Sequence, residues 1–351
     1  MALASSFLIG ANDEHGLNPP TAGKRTPTMP YINRSFYENE FNSRAKNAFI
    51  QACLRCGFNV YNVKPEIQDI SITTRIRRIN NARLTLLITF AYNAFGTGTT
   101  FNSANGYEVY YSQLNQFATQ SRQLSEEIYS SLINTVNNNG RGVNTTNVSV
   151  LSAVNCPSSL IEAGFMTNFE EAKLMLDPIY ILQIAEGTCA GVCNFLDVTY
   201  IPREDLSAYP TLRRGAQGGK VQLLQYLLND YGYNLVPDGV FGTKTYNAVL
   251  DFQRNSDLLV DGIVGNNTWQ KLLNPQGQLL KLGSRGAGVY YLQQKLLSKL
   301  YPIGEIDGIF GNATLNAVKQ FQQENGLVAD GIVGNNTWQA LNVFDAGRPQ
   351  P

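Results

Sequence analysis

Short apolar runs alternate with longer amphipathic segments in the N-terminal part of the chain. The runs have the length of β-strands and occupy residues 6–11, 58–63, 84–90, 107–111 and 158–161. Amphipathic segments occupy residues 35–57, 72–82 and 114–136. In the first of these, Phe41, Ala45 and Ala48 recur at steps of three and four residues, which predicts a helix with one buried face. Strands that are apolar throughout are typical of a parallel sheet covered on both sides, so the pattern predicts an α/β domain with a mostly parallel sheet flanked by helices.

A long internal repeat follows this domain. Residues 237–273 return as residues 306–342, and the decapeptide DGIVGNNTWQ is identical in both copies. Each copy is preceded by a segment of helical spacing, so each repeat predicts a small helical module. Linker-like stretches lie at residues 200–210 and 274–278. We therefore expect three domains, with the bounds 1–203, 209–274 and 279–343.

Turn and core signals recur within both modules. Four Asp-Gly pairs predict tight turns, and Thr243 and Asn267 are candidate caps of the helices that follow. Paired aromatic residues predict a small core in each module. These residues are Phe241, Phe252, Trp269, Phe310, Phe321 and Trp338.

Composition narrows the classes of partner. Lysine plus arginine and aspartate plus glutamate both number 27, so no bulk charge attracts nucleic acid or anionic lipid, and we expect no nucleic-acid partner. No stretch reaches the roughly 18 apolar residues of a membrane span. The first residues lack the basic segment and cleavage site of a signal peptide. We therefore expect no membrane span, and synthesis in the cytoplasm without a signal peptide.

The chain has five cysteines, two of which form the motif Cys53-Leu-Arg-Cys56. Such a pair can belong to a metal knuckle, but no second CxxC motif follows it. Both cysteines fall on the apolar face of the predicted helix, which favours reduced thiols in the core.

Polar residues follow several predicted strands at the point where each strand ends. His15, the single histidine of the chain, follows the first strand, and Glu162 follows residues 158–161. Glu38 begins the long amphipathic helix, whereas the strand 84–90 runs into Ala91. Reactive groups of open α/β sheets collect beyond the carboxyl ends of strands, so these positions form one candidate site. Taken singly, each polar residue is more typical of a structural or solvated side chain.

These positions carry motifs that resemble the zinc-dependent N-acetylmuramoyl-L-alanine amidases of bacterial cell-wall hydrolases and phage endolysins. The motifs are NDEHG (12–16), ENEFN (38–42), TFAYNA (89–94), the residues Gly106, Glu108 and Tyr111, and LIEAGFMTN (160–168). The resemblance covers roughly residues 5 to 195. It departs from the family pattern at Glu14, where a glycine is expected before the histidine. The two repeats resemble peptidoglycan-binding modules.

The resemblance implies a zinc site and a catalytic glutamate. His15 and Glu38 correspond to two zinc ligands, with Glu40 as a rival to Glu38, and Ala91 stands at the position of the second zinc histidine. A zinc ion held by three ligands lowers the pKa of a bound water to about 7 and supplies the nucleophile for amide hydrolysis. Glu162 corresponds to the acid/base that moves the proton from this water to the departing L-alanine nitrogen.

The alanine at position 91 predicts weak zinc binding and little or no activity in this chain. The intact motifs around it favour a recent or deliberate His-to-Ala replacement. The leading interpretation is an endolysin-like hydrolase that is made in the cytoplasm and acts at the bacterial cell wall during host lysis, with peptidoglycan as its partner. The alternative is a naturally non-catalytic wall-binding protein. Glycoside hydrolysis by Glu38 and Glu162 would leave His15 unexplained.

The resemblance of the modules also implies a surface that contacts the wall. We expect this surface to be lined by aromatic residues and by the Asp-Gly turns. The candidate residues are Asp238, Phe241, Asp261, Trp269, Asp307, Phe310, Asp330 and Trp338.

Overall fold

The computed structural model describes residues 3–16, 25–274 and 277–342. Residues 275 and 276 of the predicted linker and residue 343 of the predicted second module lie outside the described residues. The chain forms two compact units. The first comprises Met1–Met29, Arg34–Met175 and Ile179–Ile201, and the second comprises Pro30–Asn33, Leu176–Pro178 and Pro202–Pro351.

A six-stranded sheet forms the centre of the first unit. Its strands are β1 (Leu8–Asp13), β2 (Asn59–Asn62), β3 (Leu86–Asn93), β4 (Tyr107–Tyr111), β5 (Gly140–Thr145) and β6 (Ser158–Phe165). Their spatial order is β2-β1-β3-β6-β4-β5. All neighbouring strands pair in parallel except β4 and β6, which are antiparallel. The carboxyl ends of β1, β3 and β6 therefore meet at one edge of the sheet.

Six helices accompany the sheet in the described part of the first unit. They are α1 (Glu38–Arg55), α2 (Ile72–Ala82), α3 (Ala118–Thr135), α4 (Ser149–Ser152), α5 (Phe169–Leu174) and α6 (Pro178–Phe195). Phe49 of α1 packs against Phe90 of β3, with ring centroids 5.5 Å apart. On the other face of β3, Leu87 lies in an apolar cluster with Ile79 of α2 and Val150 of α4. Helices thus cover both faces of β3, which explains why this strand is apolar along its length.

The predicted α/β fold with a mostly parallel sheet, followed by helical modules, is confirmed. The sequence pattern did not indicate β5 or α6. β5 has no apolar run, and its residues are exposed or half-buried. In α6, Gly187 and Gly191 bring the helix close to α3, since a Cβ at Gly191 would lie 2.4 Å from Cα of Ile128. This close packing buries α6 around much of its circumference, so it lacks the polar stripe by which helices are recognised.

Each repeat of the second unit consists of three helices. The first module contains α7 (Gly219–Asn229), α8 (Thr243–Asn255) and α9 (Asn266–Leu273), and the second contains α10 (Ala287–Ser298), α11 (Asn312–Glu324) and α12 (Asn335–Asn342). The predicted caps are wrong, because Gly242 and Gly265 are the N-cap residues of α8 and α9, and neither helix has a side-chain cap. The described helices include none that is long and apolar enough to cross a bilayer.

A buried glutamine holds every Asp-Gly turn of the modules. In the first turn, Nε2 of Gln225 donates to Oδ1 of Asp238 at 2.8 Å and to the carbonyl of Val240 at 3.1 Å. The amide of Gly239 donates to Oε1 of the same glutamine at 2.9 Å. The same contacts recur in the other three turns around Gln253, Gln293 and Gln322. Each module is therefore built from two similar helix-turn-helix halves.

Candidate active site

Strand register brings two of the predicted site positions side by side. Ala91 of β3 pairs with Glu162 of β6, and Glu162 pairs with Glu108 of β4 on its other side. Paired residues of neighbouring strands project from the same face of a sheet. Position 91 and the two glutamates therefore share one face at the carboxyl edge of β3.

His15 lies next to two carboxylates beyond the end of β1. Its Nε2 is 3.4 Å from Oε2 of Glu38 and 4.0 Å from Oε2 of Glu14. One potential ligand atom from each of the three side chains lies within 4.8 Å of the other two. His15 has a φ of 62°, a left-handed backbone conformation that is uncommon outside glycine. One imidazole and two carboxylates thus converge at the sheet edge.

Glu38 is buried at the first turn of α1 and is held by two donors. Nδ2 of Asn42 and the backbone amide of Tyr92 each donate to Oε1 of Glu38 at 3.1 Å. Nδ2 of Asn42 also donates to the carbonyl of Glu14 at 3.0 Å. Since both donors hold Oε1, the second oxygen, Oε2, is turned towards His15. Asn42 also ties α1 to the Glu14-His15 segment.

Glu40, the rival of Glu38, has other contacts. Its Oε2 accepts a hydrogen bond from the amide of Tyr37 at 2.8 Å, and its Oε1 pairs with the guanidinium of Arg34. These contacts cap the first turn of α1 and neutralise the carboxylate. Glu38 therefore stays the predicted metal ligand.

Ala91 is buried in the apolar cluster beside this site. It has 1% of its surface exposed and lies with Leu87, Val150 and Leu160. The next amide along the strand, that of Tyr92, donates to Glu38. Residue 91, where the motif resemblance expects a histidine, is therefore paired with Glu162 and precedes the residue whose amide holds Glu38. The methyl group of alanine contributes no donor atom there.

Glu108 is neutralised by its neighbours. Its Oε1 accepts a hydrogen bond from Nε of Arg141 at 2.8 Å, and its Oε2 accepts one from the hydroxyl of Tyr110 at 2.6 Å. Burial, reinforced by this carboxylate, raises the pKa of Tyr110. The phenol therefore stays protonated at neutral pH, as a donor on the same face as Glu162.

A cavity of about 120 Å³ opens beside His15. Its wall includes Glu14, Asp69, Arg75 and Val150. Arg75 donates to Oδ1 of Asp69 at 2.7 Å, so its charge is compensated within the wall. The cavity wall shares Val150 with the apolar cluster that contains Ala91.

The aromatic residues predicted to contact the wall are buried. Phe241 and Trp269 are fully buried, and Phe310 and Trp338 are 1% and 3% exposed. This corrects the expectation that they line a contact surface, because they form the module cores instead. The four aspartates are exposed, and each uses one carboxylate oxygen inside its turn. A role of these aspartates in wall binding stays a prediction.

Models of known families match the N-terminal domain and the two repeats separately. A sequence model of the N-acetylmuramoyl-L-alanine amidase family matches residues 17–194, just over half of the chain. The chain belongs to this family. The matched range contains Glu38, Ala91 and Glu162 but begins after His15. A peptidoglycan binding domain model matches residues 217–272 and 285–341, within the two modules.

Curated relatives match parts of this chain. N-acetylmuramoyl-L-alanine amidase CwlL of Bacillus licheniformis is 33% identical over 163 residues, which cover 38% of this chain and 45% of the relative. CwlM of Mycobacterium tuberculosis is 38% identical over 113 residues, which cover 29% of this chain and 27% of the relative. The spore cortex-lytic enzyme of Bacillus subtilis is 42% identical over 89 residues, 24% of this chain and 29% of the relative. The chain thus spans less than half the length of these relatives.

Solved structures match just over half of this chain. The catalytic domain of the amidase CwlV from Paenibacillus polymyxa is 19% identical, covers 55% of this chain and 99% of that domain, and has a TM-score of 0.47. An N-acetylmuramoyl-L-alanine amidase from Clostridium difficile is 26% identical, covers 56% of this chain and 98% of that chain, and has a TM-score of 0.45.

The structure adds Glu14 to the residues of the candidate site. The sequence marked this position only as a departure from the NDEHG motif, where the resemblance calls for glycine. Its carboxylate joins His15 and Glu38, whereas Ala91 supplies no ligand. The departure from glycine was therefore the one signal in the sequence that could have pointed to Glu14.

Proposed function

We propose that this amidase cleaves the bond between N-acetylmuramic acid and the L-alanine of the peptidoglycan stem peptide, with activity strongly impaired by Ala91. The observation that carries the proposal is the convergence of Glu14, His15 and Glu38 at the sheet edge that also bears Ala91 and Glu162. The family and the paired wall-binding repeats give the substrate class.

The donor set fits a zinc ion. One imidazole and two carboxylates are ligand types that zinc accepts, and the buried Oε1 of Glu38 is already held by two N–H donors. Glu14 would hold the ion as the third ligand, in the absence of an imidazole at position 91. Zinc bound here would polarise the scissile carbonyl and lower the pKa of a bound water.

The protein groups have separate tasks in this scheme. Asn42 and the Tyr92 amide orient Glu38, and the left-handed backbone at His15 turns its imidazole towards that carboxylate. Glu162 accepts the proton of the attacking water and donates it to the departing amine nitrogen, because an amine leaves poorly as an anion. The hydroxyl of Tyr110 stays protonated on the same face.

Glu14 compensates for the missing imidazole only in part. Two carboxylates bring one negative charge more to the site than one carboxylate and two imidazoles do. Less of the positive charge of an ion then remains to acidify water or polarise a carbonyl. We therefore infer weaker zinc binding and slower hydrolysis than in a form with histidine at position 91.

The two repeats tether the amidase to its insoluble substrate. Two linked weak sites raise the local concentration of the catalytic domain at the wall without tight binding by either site. This architecture supports an endolysin-like role in which a protein made in the cytoplasm acts on the cell wall during host lysis. Peptidoglycan is the partner of both parts of the chain.

Restoring the histidine tests this proposal. The Ala91→His variant is expected to bind zinc more tightly, measured by competition with a chelator, and to release stem peptides from purified peptidoglycan faster. Glu14→Ala should weaken zinc binding by about 10-fold or more, whereas Glu40→Gln, on the same helix turn as Glu38, should leave it unchanged. Ala91→His combined with Glu162→Gln should bind zinc and stay inactive.

A second candidate function rests on Ala91 itself. A naturally non-catalytic protein would use the α/β domain only to recognise the stem peptide. An Ala91→His chain that binds one zinc at this site, sediments with peptidoglycan and still releases no peptide would favour this function and refute the proposed hydrolysis.

A further inference from the structure

Four of the five cysteines lie where the end of α1 meets the C-terminal part of α6. Cys53 and Cys56 are three residues apart, and Cys189 and Cys193 are four apart, so each pair lies on one face of its helix. Cys53, Cys189 and Cys193 are fully buried, and Cys56 is 5% exposed. The second cysteine pair has a spacing of four residues, so a search for another CxxC motif does not find it.

Three of the sulfurs match the dimensions of a tetrahedral thiolate site, and the fourth, that of Cys53, approaches one of them. Sγ of Cys189 lies 3.9 Å from Sγ of Cys53 and 4.0 Å from Sγ of Cys56. The sulfurs of Cys56, Cys189 and Cys193 all lie within 4.8 Å of one another. Four sulfurs bound at about 2.3 Å around zinc are separated by roughly 3.8 Å along the edges of the tetrahedron. The observed separations are far longer than the roughly 2 Å of a disulfide bond.

The cluster is separate from the fifth cysteine. The backbone amide of Ile201 donates to Sγ of Cys56 at 3.4 Å. Cys156 is also buried but lies in the apolar cluster around Leu87 and Ala91. Thiolates are the form of cysteine that binds metals.

We propose that Cys56, Cys189 and Cys193 bind a structural zinc ion, with Cys53 as the fourth sulfur. Thiolates select thiophilic ions, and a closed set of four cysteines leaves no position for substrate. The site would join the end of α1 to α6, which are far apart along the chain. It lies about 25 Å along α1 from Glu38, so it is separate from the proposed catalytic site.

Cobalt substitution of the full chain tests this site directly. The experiment uses reducing conditions and the His15→Ala variant, which lacks the single imidazole of the other candidate site. One equivalent of Co²⁺ should produce a sulfur-to-cobalt charge-transfer band in the near ultraviolet and the visible bands of tetrahedral cobalt. One equivalent of Zn²⁺ should abolish both signals.

Matched variants locate the ligands. Cys189→Ser should remove the charge-transfer band, whereas Cys156→Ser, which changes a buried thiol outside the cluster, should keep it. The zinc-loaded chain should also unfold at a higher temperature than the chelator-treated chain, and Cys189→Ser should eliminate this difference. A chain with intact cysteines that shows no cobalt–thiolate band would overturn the proposal. So would a mass two hydrogens below that of the reduced chain after purification without reductant, since it would show that the cluster forms a disulfide.

Discussion

Replacing Gln225 with alanine is expected to destabilise the first module by about 2–4 kcal/mol. Gln225 lies on α7 and is 1% exposed. Its amide nitrogen donates to Asp238, Val240 and Thr245, and its Oε1 accepts the amide hydrogen of Gly239. The two hydrogens of this nitrogen are shared among three acceptors. The substitution thus removes the contacts that hold the turn to α7 and the contact with Thr245 of α8.

The backbone amide of Gly239 accounts for much of this cost. Gly239 is buried and has a φ of 74°, so the turn that exposes its N–H to Gln225 depends on glycine. A buried N–H without an acceptor costs about 1–3 kcal/mol. The carbonyl of Val240 retains the amide of Gly242 as a donor at 2.8 Å, and Oδ1 of Asp238 retains the amide of Val240 at 2.9 Å. Losing the Gln225 contact therefore costs less at these two acceptors than at the amide of Gly239. The three contributions together lower the free energy of unfolding by a few kcal/mol.

Tryptophan fluorescence during urea denaturation measures this effect. The chain has two tryptophans, one in each module, so a Trp338→Phe background leaves Trp269 as the reporter of the first module. Trp269 is fully buried, and its Nε1 donates to the carbonyl of Pro210 at 2.8 Å, so unfolding changes its environment strongly. A decrease in the midpoint at unchanged slope reports the lost stability.

Gln222→Ala is the matched control for this measurement. Gln222 lies on the same helix, is half-buried, and makes one hydrogen bond, to the carbonyl of Pro237 at 2.9 Å. Its loss should cost about 0.5–1.5 kcal/mol. If Gln225→Ala and Gln222→Ala lower the midpoint equally, the glutamine network is not what holds the Asp-Gly turn.

Two further predictions concern charges of the amidase domain. Asp13 is buried between Lys46 and Lys64, with N···O distances of 3.0 and 3.2 Å. Asp13→Asn should leave two buried ammonium groups unneutralised. The free energy of unfolding measured by urea denaturation should therefore fall by about 3–5 kcal/mol. Lys46→Met leaves the ion pair between Asp13 and Lys64 intact, so it should lower the free energy of unfolding by less than Asp13→Asn does. An equal decrease for the two variants would contradict this account. Hydrogen bonding to Arg78 lowers the pKa of Glu66 to about 2. The stability that this pair contributes is thus present above the unfolded pKa of about 4.3 and is lost as the pH falls towards 2. Because Glu66 is 36% exposed, Glu66→Gln should lower stability near neutrality by at most about 1 kcal/mol. Calorimetry should show a difference between the two chains that shrinks as the pH falls from about 4 towards 2.

Elements of the fold could be predicted wherever burial gives their sequence a characteristic pattern of apolar residues. β3 is covered by helices on both faces and is apolar throughout, so its position along the chain was evident. β5 forms the sheet edge through backbone hydrogen bonds with β4, which require no apolar side chains. Its sequence, GRGVNT, therefore resembles a loop. The module cores were evident because the repeat doubled each signal, but the glutamines that hold the turns lie on helices that precede them and form contacts only in three dimensions.

The candidate metal site shows why its second carboxylate, Glu14, could not be predicted from spacing alone. Neighbouring residues of an extended strand point to opposite faces, so Glu14 and His15 would not be expected to converge. The left-handed φ of 62° at His15 breaks this alternation, and the two side chains approach to 4.0 Å. A backbone dihedral angle thus decides whether the substitution of glycine by Glu14 is neutral or places a ligand beside His15. Both departures from the family motifs lie near Glu38, since Glu14 shares its cluster with His15 and Ala91 precedes the residue whose amide donates to Glu38.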